Sequence, residues 1–317
     1  MATGSRLSPT SGPFHRDRGR PDRRDVRLRF GIVILPEYRW SDARRLWMRA
    51  EELGFDHAWT YDHLGWRDLV DGPWFDAVPT LTAAATVTST IRLGTHVASA
   101  NFRHPVAFAR QVTALDDISN GRFLLGVGAG GPGFDSAVLG QSPLTGRARV
   151  DRYVEFVELL DRVLCNHSTT WEGDFFSAID ARSAPGSVQS PRIPFIVAGN
   201  ARRSIGLAAR FGDGWMTTGA PVDTDEAWWK AVAENCARFD EELQARGRGT
   251  EGPARYLSLD AAPGYSLRSV DAFADALGQA GELGFTDVIS HWPRPSGWYA
   301  GDESILDTIA SRFLTKT

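Results

Sequence analysis

Eight short apolar runs, each followed by a segment of helical periodicity, divide most of this chain. The clearest unit spans residues 91–131. Residues 91–97 are continuously apolar enough for a buried strand. Val106, Phe108, Ala109, Val112 and Leu115 then recur at helical spacing. Ser119, Asn120 and Gly121 break that helix. Residues 123–127 form a second buried strand, which empties into Gly128, Ala129, Gly130 and Gly131. Two buried strands joined by a helix make a parallel βαβ unit.

The other apolar runs are residues 28–35, 58–61, 194–198, 214–217, 255–259 and 286–290. Behind the first, Ser41-Asp42 offers an N-cap to a helix carrying Ala43, Leu46, Trp47, Ala50 and Leu53, which Gly54 ends. Helical spacing recurs over 75–86, 149–164, 223–246, 267–283 and 304–313, and from Arg202 onwards. Eight βα units predict an α/β fold, a single (β/α)8 TIM barrel over residues 28–317. A doubly wound open sheet would need a glycine-rich dinucleotide turn after the first strand, where Pro36-Glu37-Tyr38 stands instead. Between the fourth and fifth strands the chain is long. Residues 132–144 form a loop rich in Gly, Pro and Ser, 171–176 read as a hairpin, and the proline-rich stretch to Arg192 reads as a lid. This is the barrel's expected insertion. Residues 1–27 are basic and poor in apolar side chains, a composition expected to be a disordered extension. Arg23-Arg24 precedes no hydrophobic region, so a secretion signal is not expected.

Net charge is −4 at pH 7, which makes no case for nucleic acid or a membrane surface. No apolar run approaches the roughly 20 residues that span a bilayer. Cys165 and Cys236 fall in helical patterns and are read as reduced, buried thiols of a cytoplasmic protein. No metal site is expected. His63, His96 and His291 with Asp62 resemble a metal cluster only superficially, because no two histidines stand at ligand spacing on one element.

In a barrel, residues just after each strand share one mouth. Here that places Glu37, Asp62, His63, Trp66, His96, Ser99, Gly128, Gly130, Gly199, Asn200, Thr217 and Thr218 together. Gly199-Asn200-Ala201-Arg202 opens a helix, whose free N–H groups suit a phosphate. An imidazole at such a mouth is a natural acid or base.

The motifs Arg92-Leu93-Gly94-Thr95, Arg103-His104-Pro105, Leu115-Asp116, Gly121-Arg122-Phe123 and Gly128-Ala129-Gly130 together resemble the luciferase-like family of flavin and deazaflavin oxidoreductases. The resemblance runs from about Arg29 to the C-terminus and implies a barrel. It implies a cofactor phosphate held between the Gly199-Asn200-Ala201-Arg202 loop and Thr217-Thr218. It also implies a non-prolyl cis peptide behind the cofactor ring, at His96–Val97. Asp62-His63 followed by Trp66 is similar to the Asp-His-x-x-x-Trp pattern of deazaflavin-dependent members, with the tryptophan one residue early. His63 is then the expected proton donor or acceptor, with Glu37 second. Those members carry a further glutamate after the fourth strand, where this chain has Gly131. The expected cofactor is coenzyme F420, with FMN and monooxygenase chemistry as the alternative. A cofactor-binding protein without activity is a further reading. A small-molecule substrate and a homodimer complete the expectation.

Overall fold

The computed structural model describes residues 27–249 and 252–314. The predicted extension, Arg27 apart, lies outside the described residues. In chain order the first half comprises β1 (Arg29–Val33), α1 (Trp40–Leu53), β2 (His57–Thr60), α2 (Ala77–Val87), β3 (Arg92–Thr95), β4 (Ala98–Ser99), α3 (Pro105–Ile118) and β5 (Phe123–Gly128). Then come α4 (Gly146–Cys165), β6 (Ser168–Glu172), β7 (Ser177–Arg182), β8 (Phe195–Ala198), α5 (Arg202–Phe211) and β9 (Gly214–Thr217). The chain continues through α6 (Asp225–Ala245), β10 (Ala254–Ser258), α7 (Val270–Glu282), β11 (Asp287–His291) and α8 (Ile305–Phe313).

Strands β3, β2, β1, β11, β10, β9, β8 and β5 lie side by side in that order, and β3 also pairs with β5. That last pairing closes an eight-stranded parallel barrel among the described residues, with one helix following each strand. The third predicted strand is shorter than expected. β3 stops at Thr95, the His96–Val97 peptide is cis, and pairing with β5 resumes at Ala98. The insertion follows β5: a loop, then α4, then the antiparallel hairpin β6–β7. Glu155 on α4 holds that hairpin by accepting the N–H groups of Asp174, Phe175 and Phe176.

Two apolar layers hold the fold. One lies between barrel and helices and includes Trp47, Phe108, Phe156, Trp215 and Phe239. The other fills the barrel, with Val33, Trp59, Leu124, Ile196, Met216, Tyr256 and Ile289. The large indole of Trp59 is accommodated because Gly94 faces it; a Cβ there would come within 2.3 Å of the ring. Small residues opposite large ones are how a small barrel fills its interior.

Two local expectations are corrected. Ser41-Asp42 is not the cap of α1; the helix starts at Trp40, and Asp42 and Ala43 donate to the carbonyl of Arg39. Asp42 therefore sits in the first turn, where its charge suits the helix dipole. Cys165 is exposed, because it is the last residue of α4; Cys236 is buried as expected. No helix among the described residues is long and apolar enough to cross a membrane.

Candidate functional site

His63 leaves the end of β2 in a loop that folds against the insertion. Its Nδ1 lies 2.5 Å from Oδ2 of Asp135. The other carboxylate oxygen of Asp135 accepts the N–H of Leu64 at 2.7 Å and, weakly, of Gly65 at 3.4 Å. Asp135 is buried while His63 remains a quarter exposed. An acceptor-only carboxylate places a proton on Nδ1 and leaves Nε2 for an outside partner. Trp74 fixes the same loop by donating to the carbonyl of His63 at 2.8 Å. Trp66 stands edge-on to Tyr61 at 5.2 Å and nearly parallel to Tyr299 at 6.2 Å. Of the other tryptophans considered for a pocket, Trp292 belongs to the core and Trp40 projects from α1.

Two predicted site residues are held in ion pairs. Glu37 has both oxygens in a bidentate pair with Arg294, at 2.6 and 2.7 Å. Both oxygens are used in charge pairing, so Glu37 anchors the loop after β11. Asp62 is 1% exposed and paired with Arg103 at 2.9 and 2.5 Å, and it also accepts the N–H of Ser99 at 3.3 Å. Arg103 continues to Asp76, the side-chain cap of α2, at 3.0 Å. Asp62 thus ties the end of β2 to the bulge after β3.

The bulge brings His96, Val97 and Ser99 against Gly128 and Gly130. Gly130 has φ +70°, and a Cβ there would lie 2.3 Å from the Asn101 amide, so only glycine fits. His96 stacks on Tyr61 with ring centres 5.7 Å apart. Its Nε2 is buried and has no hydrogen-bond partner among the described residues. Burial, with nearby His291 next, pushes its pKa down to about 3. The unfolded chain therefore takes up a proton first as pH falls below about 6.5. Stability present at neutral pH is lost at about 1.4 kcal/mol per pH unit below that point. Urea unfolding at neutral and mildly acid pH is expected to show this slope, and His96→Gln to flatten it. An unchanged slope in the variant would refute the assignment.

The loops after β8 and β9 are joined by Asn200. Its Oδ1 accepts the hydroxyl of Thr217 at 2.8 Å and the N–H of Thr218 at 3.1 Å, and its amide donates to the Thr218 hydroxyl at 2.6 Å. The N-cap of α5 is Ala201, whose side chain has no acceptor. By contrast Asp76, Thr145, Thr224 and Ser269 cap α2, α4, α6 and α7 with their side chains. The first-turn N–H groups of α5 are left for an external anion. Arg202 does not complete this loop. Its side chain is 84% exposed and lies 3.5 Å from Glu242, on the outer helix layer.

Three residues of the mouth escaped the sequence reading. Asp135 sits inside a loop of small residues, four positions after the Gly131 that replaces the expected glutamate. Arg149 and Arg152 read as an ordinary helix surface, yet neither forms an ion pair with a described residue. Arg152 donates to Oδ1 of the Asn101 side chain at 2.5 Å, the Asn101 amide donates to the carbonyl of Gly131 at 3.0 Å, and Nε of Arg152 is buried without a partner among the described residues. Burial, then the charge of Arg149, lowers the Arg152 pKa from its ordinary value. Two arginines at spacing three behind a glycine-rich loop were the available signal.

A model of the family described as luciferase-like monooxygenase matches residues 28–278. An F420-dependent glucose-6-phosphate dehydrogenase of Amycolatopsis mediterranei is 31% identical over 267 residues, covering 77% of this chain and 78% of its own. A 5,10-methylenetetrahydromethanopterin reductase of Archaeoglobus fulgidus is 28% identical, over 63% of this chain and 56% of its own length. An F420-dependent secondary alcohol dehydrogenase, solved with an F420–acetone adduct, superposes with TM-score 0.73 at 18% identity, covering 90% of this chain and 98% of that one. With the family match spanning most of the barrel, the chain belongs to the luciferase-like monooxygenase family.

Proposed function

We propose that this protein is a coenzyme F420-dependent oxidoreductase that exchanges a hydride with a C=C, C=N or C=O group of a small organic substrate. The observation that carries the reading is the Asp135-held His63 at the mouth, whose neighbour Tyr61 also meets Trp66. The F420-dependent relatives support the choice of coenzyme. The residues suit such a group. Open N–H donors at α5 and the clasp Asn200–Thr217–Thr218 would hold its phosphate. Arg149 and Arg152, without carboxylate partners among the described residues, offer charge to an anionic tail. His96, with its orphaned Nε2, offers a buried polar atom at the mouth. When bound, the deazaflavin supplies two-electron hydride chemistry. His63 exchanges the accompanying proton through Nε2, with Asp135 fixing the ring.

Titration with coenzyme F420 and, separately, with FMN, followed by tryptophan fluorescence, tests the reading. Micromolar or tighter binding of coenzyme F420 is expected. Tight binding of FMN alone would overturn it in favour of a flavin monooxygenase, the reading that the family description itself favours. Gly199→Ala gives a second check. A Cβ there would lie 2.7 Å from the backbone carbon of Ser204 and would push the start of α5 outwards. Weakening of coenzyme binding by about tenfold or more is expected.

A further inference from the structure

Oxidising an alcohol at a deazaflavin moves more than a hydride. The substrate oxygen sheds a proton, and the coenzyme would take one up on full reduction, so two acid–base groups have a task. His63 with Asp135 supplies one. A second set begins at Tyr61, whose ring stands 5.7 Å from that of His63. The Tyr61 hydroxyl lies 3.0 Å from the hydroxyl of Tyr299 and 2.7 Å from Nε2 of His291. Nδ1 of His291 lies 2.9 Å from Oδ2 of Asp260, and both side chains are almost fully buried. Asp260 also accepts the N–H groups of His291 and Ser266. Tyr299 caps the series. Its ring stacks on His291 at 3.7 Å and it is only partly buried, next to Trp66.

We propose that Tyr299, Tyr61, His291 and Asp260 form a proton relay, in which the Tyr299 hydroxyl exchanges a proton with the substrate oxygen and His291 stores it. The proposal rests on the oxidoreductase reading for its purpose, but not for its existence. The hydrogen-bond directions follow from the chemistry of the groups. A carboxylate only accepts, so the proton of neutral His291 is on Nδ1 and its Nε2 accepts. Tyr61 must then donate to His291, and Tyr299 to Tyr61. The series ends in the Tyr299 oxygen, whose remaining lone pairs can accept.

In the oxidative direction the substrate O–H proton passes to Tyr299, the Tyr299 proton to Tyr61, and the Tyr61 proton to Nε2. The substrate C–H bond breaks, its electron pair leaving as hydride to the two-electron acceptor, and the C=O bond forms. His291 is left as an imidazolium paired with Asp260. Protonation reverses every hydrogen bond, so that Tyr299 now donates outwards. Reduction uses that state, and after oxidation the proton returns to solvent along the same path. Burial pushes Tyr299 up to about 12 and Tyr61 well above its ordinary value, so both phenols pass protons and neither holds charge. The titratable groups facing His291 are Asp260, Tyr61, Tyr299 and, 6.0 Å away edge-on, His96, while Tyr265 donates to its carbonyl.

The test is a pH titration by NMR of the full-length protein without cofactor, with nitrogen-15-labelled histidine and carbon-13-labelled tyrosine rings. His291 is expected as the Nδ1–H tautomer near neutral pH. As it takes up a proton, the ring signals of Tyr61 and Tyr299 are expected to move with the same midpoint. In Tyr61→Phe the Tyr299 signal should lose that midpoint while His291 still titrates. In Asp260→Asn the Nδ1–H tautomer of His291 should no longer be fixed, and its nitrogen-15 signals should move towards a mixture of tautomers. A His291 that keeps one protonation state across the folded range, or a wild-type Tyr299 signal blind to its midpoint, overturns the relay. If Tyr61→Phe does not fold, the wild-type co-titration decides alone. These readouts need neither coenzyme nor substrate. A protein that fails to bind coenzyme F420 would lose the proposed function and keep a measurable relay; a fixed His291 would do the reverse.

Discussion

Replacing His63 with alanine is expected to lower the kcat of coenzyme F420-dependent turnover by about 10²–10⁴-fold, the usual contribution of a positioned acid or base. The coenzyme dissociation constant is expected to stay within several-fold, because the loop does not depend on the imidazole. Asp135 still binds the N–H groups of Leu64 and Gly65 after the change, and Trp74 still donates to the carbonyl at position 63. Asp135→Asn is the informative companion. It keeps the shape but removes the charge that fixes the Nδ1 proton, and one charge-assisted hydrogen bond corresponds to about 10–100-fold in rate. The double variant should be little slower than His63→Ala alone, since both changes remove one unit. Stopped-flow absorbance of the coenzyme during a single turnover separates the hydride step from product release. A His63→Ala protein that turns over within a few-fold of wild type would move the chemistry away from this loop.

The barrel was legible because its signal is local. Eight apolar runs and the helical repeats between them are set by residues within a turn or two of each other, so period alone reports them. The mouth was legible as a set of positions, since anything just after a barrel strand must face it. What a side chain does there was not. Glu37 meets a guanidinium 257 positions away, Asp62 meets one 41 positions away, and His63 finds its carboxylate 72 positions on. Each partner is brought by barrel closure, and no periodicity encodes it. Two carboxylates that read as chemistry, Glu37 and Asp62, also tie loops together through their arginine partners. The one that serves His63 lay in a stretch without secondary-structure signal. Arg152 shows the same limit from the other side, for its helical position was plain and its missing partner was visible only in three dimensions.

At the opposite end of the barrel, Asp287→Asn is expected to destabilise the fold by about 3 kcal/mol and lower the melting temperature by roughly 5–10 °C. Asp287 opens β11 and is fully buried. It accepts from Arg29 on β1 at 2.8 and 2.6 Å, lies 3.0 Å from Nε2 of His57 on β2, and accepts from the Thr286 hydroxyl at 2.6 Å. One carboxylate thus joins the first residues of three adjacent strands. The expected loss lies at the low end for a broken buried pair, because Arg29 is 45% exposed and can regain water. His57 is buried and cannot; its Nδ1 already accepts from Trp59 at 2.6 Å. Burial alone would raise the Asp287 pKa, but His57 and Arg29 outweigh it and hold the group below its ordinary value. A depressed folded-state pKa contributes stability that is present at neutral pH and lost as pH falls below about 4. That window lies below the one in which His96 begins to act, so the two can be read from one series of urea melts. Asp287→Asn should flatten only the limb below about pH 4, while His96→Gln should flatten the slope from about pH 6.5 down to about pH 3. If Asp287→Asn melts with wild type at neutral pH, then the apolar interior around Trp59 and Tyr256 closes the barrel unaided.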